Sequence, residues 1–64
     1  MEIKVYRDCD GELSFHYTED MEPEIADNSG HFTVYYLGED EDGDICECVC
    51  DYPKRDYYYE VINK

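Results

Sequence analysis

The segment that decides the fold runs from Phe32 to Tyr52 and reads FTVYYLGEDEDGDICECVCDY. Two β-type runs, rich in Tyr, Val and Cys, flank a polar stretch that contains a Gly, and this pattern predicts a β-hairpin. The connection, residues 39 to 44, carries five carboxylates in six positions. The sequence therefore predicts a hairpin whose tip is a concentrated negative charge.

The N-terminal residues predict another hairpin. Residues 2 to 7 alternate between apolar and polar types, as expected of a half-buried strand. The dipeptide Asp10-Gly11 favours a tight turn, because both residue types tolerate positive φ. A second strand is expected over residues 12 to 18. The inward side chains predicted for this hairpin are Ile3, Val5, Leu13, Phe15 and Tyr17.

Residues 19 to 30 lack strand alternation and predict one or two short helical turns across one end of the sheet. Thr18 is the expected N-cap, Pro23 suits a first-turn position and Gly30 suits the residue after a helix end. The expected apolar anchors of this segment are Met21 and Ile25.

The last three strands are expected over residues 31 to 37, 45 to 52 and 57 to 62. In the strand over residues 45 to 52, the side that carries the Cys residues should face inward, because burying Glu47 and Asp51 without partners would cost several kcal/mol. In the strand over residues 31 to 37, the inward residues are expected to be Phe32, Val34 and Tyr36.

These elements predict an all-β fold of one domain, residues 1 to 64. Five strands joined by short connections favour an antiparallel meander, either a twisted sheet or a half-barrel, with the 19–30 segment at one end. A chain of this length has little room for an enzyme cleft.

The charge is one-sided, with 18 acidic and 5 basic residues and a formal net charge of −13. Fifteen of the acidic residues, and no Lys or Arg, lie between Asp8 and Pro53. Such a surface disfavours direct contact with nucleic acid or anionic membranes and favours a basic partner. The alternative is a solvated surface that only keeps a small protein soluble.

The beginning of the sequence has no apolar segment of signal-peptide or membrane-spanning length, so a cytoplasmic location with reduced cysteines is expected. Cys46, Cys48 and Cys50 share one strand face, where regular spacing keeps them too far apart for a disulfide or a single zinc ion. The sequence thus predicts core cysteines and no cofactor. Zinc binding is the alternative that a sharply bulged strand would permit.

The sequence does not favour calcium binding or enzymatic catalysis. A calcium loop aligned on Gly43 would place Gly38 and Val49 where carboxylate ligands are needed. No glycine-rich phosphate loop or nucleophile elbow accompanies the few Ser and His residues, so we expect no enzyme.

Carboxylates on alternate strand positions lie roughly 6.6 Å apart and can imitate a phosphate track. The candidate partner-binding carboxylates at the hairpin are Glu39, Asp40, Glu41, Asp42, Asp44, Glu47 and Asp51. A second acidic patch consists of Glu19, Asp20, Glu22 and Glu24. Runs of consecutive tyrosines must project from both sheet faces, so some of Tyr6, Tyr35 and Tyr58 should be exposed. Tyr35 and Tyr58 are candidates for an aromatic hot spot beside the acids, or simply cover a thin sheet.

A short chain with Tyr-rich strands, an uncompensated acidic middle from Asp8 to Asp51 and no catalytic set resembles small phage-encoded nucleic-acid mimics. Anti-CRISPR proteins, anti-restriction proteins and the uracil-DNA glycosylase inhibitor belong to this class. The likeness is one of composition, without a shared motif, so it assigns no residue a role. It implies an inhibitor whose carboxylates occupy the Lys and Arg side chains that would hold phosphates.

The sequence thus favours a non-enzymatic inhibitor that blocks the nucleic-acid groove of a basic protein or effector complex. A different class of function also fits, namely a structural or adaptor module that pairs through a sheet edge, through Tyr side chains or through the face with Ile45 and Val49. This second interpretation includes a homodimer.

Overall fold

The fold is all-β, as predicted. The computed structural model describes residues 1–63. Its six strands are β1 (Glu2–Arg7), β2 (Leu13–Tyr17), β3 (Glu24–Asp27), β4 (His31–Glu39), β5 (Ile45–Pro53) and β6 (Tyr57–Ile62). No helix in this part of the chain is long and apolar enough to span a membrane.

The strands form two antiparallel three-stranded sheets, ordered β2-β1-β6 and β3-β4-β5, and the predicted single meander or half-barrel is wrong. The chain crosses between the sheets after Pro53, so that β6 pairs with β1 along all six residues of each strand. A single sheet would leave the Ile3 and Phe32 sides uncovered, whereas two sheets bury both.

The core lies between the sheets and consists of five side chains that are at most 1% exposed, namely Ile3, Val5, Tyr17, Phe32 and Val34. Around them pack partly buried apolar side chains, Met21, Ile25, Tyr36, Tyr52, Tyr57 and Tyr59. Aromatic contacts join the sheets, for example Phe32 with Tyr59 at a ring-centroid distance of 4.8 Å. Tyrosine thus supplies much of the apolar area that so short a chain otherwise lacks.

The first hairpin forms as predicted, but only Tyr17 of its second strand is buried. The register changes from Val5↔Phe15 to Tyr6↔Leu13, so Ser14 is the extra residue of a β-bulge. The bulge moves Leu13 to the outer face beside Tyr6 and leaves it 53% exposed. Phe15 keeps the inner face but lies on an edge strand that the other sheet covers only in part.

The turn of that hairpin is longer than a two-residue Asp-Gly turn. Gly11 has φ +72°, while Asp10 is outside the positive-φ region. The N–H of Gly11 donates to the carbonyl of Arg7 at 2.7 Å, and the N–H of Arg7 donates to the carbonyl of Glu12 at 2.9 Å. The Asp10 carboxylate accepts the N–H of Glu12 at 3.0 Å.

The expectation of helical turns over residues 19 to 30 is correct only at their start. A single 3₁₀ turn spans Glu19–Met21, and β3 follows. Thr18 makes no side-chain cap, because its hydroxyl donates to the Asp20 carboxylate instead. Pro23 is buried just before β3, and Gly30 lies in the β3–β4 turn. Met21 and Ile25 do pack against the core, as predicted.

The central hairpin matches its prediction, with β4 and β5 extended by two residues and one residue respectively. Phe32 and Val34 are buried and Tyr36 is half-buried on the inner face. The Cys side of β5 also faces inward, with Cys48 and Cys50 half-buried and Cys46 exposed near the tip.

Candidate functional site

The β3-β4-β5 sheet has an outer face that combines apolar and acidic side chains. Inward Phe32, Val34 and the Cys residues alternate with outward neighbours, and the register places Glu24 beside Tyr35, Tyr35 beside Val49 and Leu37 beside Glu47. Three of the apolar side chains are well exposed: Ile45 at 69%, Val49 at 58% and Tyr35 at 47%. We call this surface the acidic outer face; it comprises Glu24, Tyr35, Leu37, Ile45, Glu47, Val49 and Asp51.

The second predicted acidic patch joins this face at its border. Glu22 and Glu24 line a shallow depression of ≈ 190 Å³ together with Tyr35, Leu37 and Glu47. A neighbouring depression of ≈ 370 Å³ has Asp20, Glu22, Leu37, Glu39 and Ile45 among its lining residues. Carboxylates from two distant segments of the sequence therefore form one continuous surface.

Local backbone geometry fixes Glu22 at this position. It ends the 3₁₀ turn in the left-handed region, with φ +47° and ψ +54°, and its N–H donates to the carbonyl of Glu19. A non-glycine residue in this region is uncommon. Glu19, the first residue of the 3₁₀ turn, is exposed but lines neither depression.

The β4–β5 turn holds the tip carboxylates in a defined arrangement. Asp40 Oδ1 accepts the N–H groups of Asp42 and Asp44, both at 2.9 Å, and Gly43 takes φ +84°. Carboxylate oxygens of Asp40, Asp42 and Asp44 lie within 4.8 Å of one another. These oxygens are the kind of ligand that hard cations take, but the turn uses one carboxylate for its own backbone. Glu41 is exposed at the same tip.

The cysteines lie closer together than their strand spacing predicts. The Sγ atoms of Cys46 and Cys48 are 3.9 Å apart, because the two side chains turn towards each other. Gly38 makes room for this arrangement, since a Cβ there would lie 3.2 Å from the Cys48 Sγ. The neighbouring Cys48 thiol raises the pKa of Cys46, which disfavours the thiolate that a metal would need. In residues 1–63 no third Cys or His joins this pair in a metal-ligating group.

Three basic residues, Arg7, Lys54 and Arg55, lie near the end of β5 that is opposite the acidic tip, and Arg7 and Arg55 line one depression there. Arg7 Nη2 contacts Asp10 at 2.6 Å and Glu12 at 2.9 Å, and the pKa of Asp10 is lowered chiefly by the hydrogen bond from the Glu12 N–H. Lys54 pairs with Asp27, and this hydrogen bond lowers the pKa of that carboxyl group. Within the described residues, no Lys or Arg lies on the acidic outer face.

The two candidate tyrosines, Tyr35 and Tyr58, lie on different sheets. Tyr35 lies in the acidic outer face and is exposed, whereas Tyr58 lies on the outer face of the other sheet. There Tyr58 is 44% exposed and stacks on the half-buried Tyr6, with ring centroids 5.2 Å apart. The expected exposure is therefore confirmed, but Tyr58 is not beside the acids.

Two residues contribute to the site although the sequence analysis did not name them. Leu37 lines both depressions, and strict alternation from Tyr35 would have placed it on this face. Thr33 is only 6% exposed, and its hydroxyl donates to Asp51 Oδ1 at 2.5 Å, which fixes that carboxylate across the two strands.

Comparisons with protein-family models, with curated proteins and with solved structures gave no match.

Proposed function

We propose that this protein is a non-enzymatic inhibitor that occupies the nucleic-acid-binding groove of a basic target protein. The observation that carries the proposal is the acidic outer face, where exposed apolar side chains are surrounded by carboxylates without a basic residue among them. An ordinary soluble surface mixes charges of both signs. A one-sided face with an apolar centre is suited to a partner that offers Lys and Arg around an apolar or aromatic patch.

The carboxylates supply attraction and selectivity. Glu22, Glu24 and Glu47 approach one another across three segments, and the tip carboxylates extend the charge beyond the sheet. A groove lined with Lys and Arg for phosphates would bind these groups in place of its nucleic acid. Inhibition then follows from occupancy, and no chemical step is required.

The apolar side chains supply the burial that charge alone does not give. Tyr35 and Val49 are direct cross-strand neighbours and offer one apolar contact area, and Ile45 adds a second apolar contact beyond the Leu37–Glu47 pair. Burial of such side chains contributes about 25 cal/mol per Å² of apolar surface. A mimic built this way should retain part of its affinity at salt concentrations that release purely ionic contacts.

The first experiment is a pull-down from a bacterial lysate at low salt, followed by elution with a salt gradient. Recovery of one nucleic-acid-binding protein at a defined salt step, and displacement of its DNA or RNA by the inhibitor, would support the proposal. A diffuse set of basic proteins released at modest salt would show that the charge is only a solvated surface.

A charge-reversal pair tests which surface binds. The variant D42K/D44K/E47K should lose binding to the captured target, because it reverses the tip and the acidic outer face together. The control D8K/D56K/E60K makes the same change in net charge at exposed positions elsewhere and should still bind. Equal loss in both variants would mean that binding follows net charge and would overturn the proposal.

The adaptor function remains a second candidate, because Ile45 and Val49 are exposed on an edge strand. It predicts a tight oligomer or complex that is insensitive to salt. Light scattering at low and high salt distinguishes the two: a salt-resistant homodimer that buries Ile45 and Val49 favours the adaptor.

A further inference from the structure

Strand β5 leaves one backbone edge open. It is the outermost strand of its sheet, nine residues long, and in the described chain it pairs only with β4. The N–H of Lys54 donates to the carbonyl of Gly30, and the N–H of Asp40 donates to the carbonyl of Asp44. Both bonds belong to even-numbered pairs of the β4–β5 register, and in an antiparallel ladder hydrogen-bonded pairs alternate with non-bonded ones.

The odd-numbered residues of β5 therefore direct their N–H and C=O groups away from β4. Ile45, Glu47, Val49 and Asp51 are these residues, and Pro53 ends the row because it has no N–H. Their side chains all lie on the acidic outer face. The open edge thus presents backbone donors and acceptors together with an apolar-acidic-apolar-acidic series of side chains.

Natural proteins usually protect such edges by keeping them short, or by placing Lys, Pro or a bulge on them. The β3 edge on the other side of this sheet has only four residues. By contrast, β5 is long, carries no Lys and has its Pro at the very end. The charges on this edge are the carboxylates of Glu47 and Asp51, which oppose a like-charged strand but attract a basic one, so the edge is consistent with a basic partner.

We propose that β5 accepts an extended basic segment of the target as an additional antiparallel strand. The inference rests on the proposed function in one respect, that the target is a basic protein. Residues of the incoming strand opposite Glu47 and Asp51 would be Lys or Arg, and those opposite Ile45 and Val49 would be apolar. Directly opposed side chains of a strand pair interact most strongly, so this alternation sets the register.

A second copy of the chain is the less suitable occupant. Antiparallel pairing of two β5 edges would bring Glu47 and Asp51 of both copies onto one face. No Lys or Arg between residues 8 and 53 could offset those four carboxylates. Like charges on paired strands are destabilising, whereas a basic strand meets the same groups favourably.

The test uses a seven-residue peptide with Lys at positions 1 and 5, Val at 3 and 7 and Thr elsewhere, added to the full-length protein. Two matched versions carry N-methyl groups, one at positions 3 and 5 and the other at positions 4 and 6. In the proposed pairing the N–H groups of positions 3 and 5 face β5, and those of positions 4 and 6 face solvent. Methylation at 3 and 5 should weaken binding about tenfold or more, since two backbone hydrogen bonds are lost, and methylation at 4 and 6 should change it little.

Amide hydrogen exchange gives a second readout. Binding should slow exchange at Glu47, Val49 and Asp51, while Cys48 and Cys50, already bonded to β4, should change little. If the two methylated peptides bind equally and these amides stay unprotected, charge alone holds the peptide and strand addition is wrong, although the inhibitor proposal survives. Concentration-dependent protection without peptide would instead identify a second copy as the occupant. Loss of target capture in the charge-reversal control variant would overturn the inhibitor proposal without bearing on the peptide result.

Discussion

At the scale of single residues, a hydrogen bond between two tyrosine hydroxyls joins the sheets within the core. The hydroxyls of Tyr17 and Tyr52 are 2.5 Å apart and belong to different sheets. Tyr17 is 1% exposed and burial raises its pKa, whereas Tyr52 is half-buried. A hydroxyl buried without a hydrogen-bond partner costs ~1–3 kcal/mol. Each of these two hydroxyls provides the partner that the other needs in the core.

This contact predicts unequal costs for two hydroxyl deletions. Tyr52→Phe should destabilise the fold by ~1–3 kcal/mol, because it leaves the fully buried Tyr17 hydroxyl with only the weak acceptor Cys50 nearby. Tyr17→Phe should cost less, since the Tyr52 hydroxyl is closer to solvent. Urea unfolding of both variants and of the double variant checks this, and the double variant should cost less than the sum. Additive losses would show that the two hydroxyls do not interact.

At the scale of elements, the β4–β5 hairpin is held by its turn as well as by its ladder. Gly43 takes φ +84° and Asp40 accepts two N–H groups of the same turn. A side chain in the left-handed region costs roughly 1–2 kcal/mol. The shape of the turn therefore depends on the positive φ of Gly43, and this shape determines where the carboxylates of the turn lie.

Gly43→Ala and Gly30→Ala form a matched pair that isolates this effect. A Cβ at either position would meet no atom within 4 Å, but only Gly43 has positive φ. We expect Gly43→Ala to destabilise the protein by about 1 kcal/mol and Gly30→Ala to be neutral or slightly stabilising. Chemical denaturation measures both. Equal effects would mean that the turn tolerates a side chain and that Gly43 does not determine its shape.

The elements also show where sequence patterns succeed and fail. Strong alternation placed β1, β4, β5 and β6 within one or two residues of their observed bounds. The short β3 was missed because its Glu and Asp ends look like loop, and only its pairing with β4 makes it a strand. The outward turn of Leu13 depends on the bulge at Ser14, which no periodicity of two can express.

At the scale of the molecule, the sequence predicts every strand of the described residues except β3, but it does not predict how the strands divide into two sheets. The crossing after Pro53 depends on β6 finding β1, a contact between the two ends of the chain that local patterns do not encode. The two acidic segments around Glu22 and Glu47 come together because β3 and β5 both pair with β4, and β3 itself was not predicted. The excess of negative charge and the outward Ile45, Val49 and Tyr35 could be predicted from the sequence, whereas their position beside Glu22 and Glu24 could not.

The whole molecule should lose stability in alkali for a reason that salt does not remove. Burial raises the pKa of Tyr17, of Tyr52 and of Tyr36, the last to about 12. Because an unfolded tyrosine titrates near pH 10, the unfolded chain releases its protons first. The stabilisation is therefore complete below pH 10 and declines as the pH rises towards the folded-state values.

Thermal unfolding between pH 9 and 11, with and without 1 M NaCl, tests this. Salt should raise the Tm at every pH, because a chain of net charge −13 repels itself and the Debye length falls to about 3 Å. The decline above pH 10 should persist in salt, because its first cause is burial of the phenols. A variant with both Tyr17→Phe and Tyr52→Phe should show a shallower decline, since two of the responsible groups are gone. A decline that salt abolishes would instead assign the alkaline loss to repulsion between surface carboxylates and phenolates.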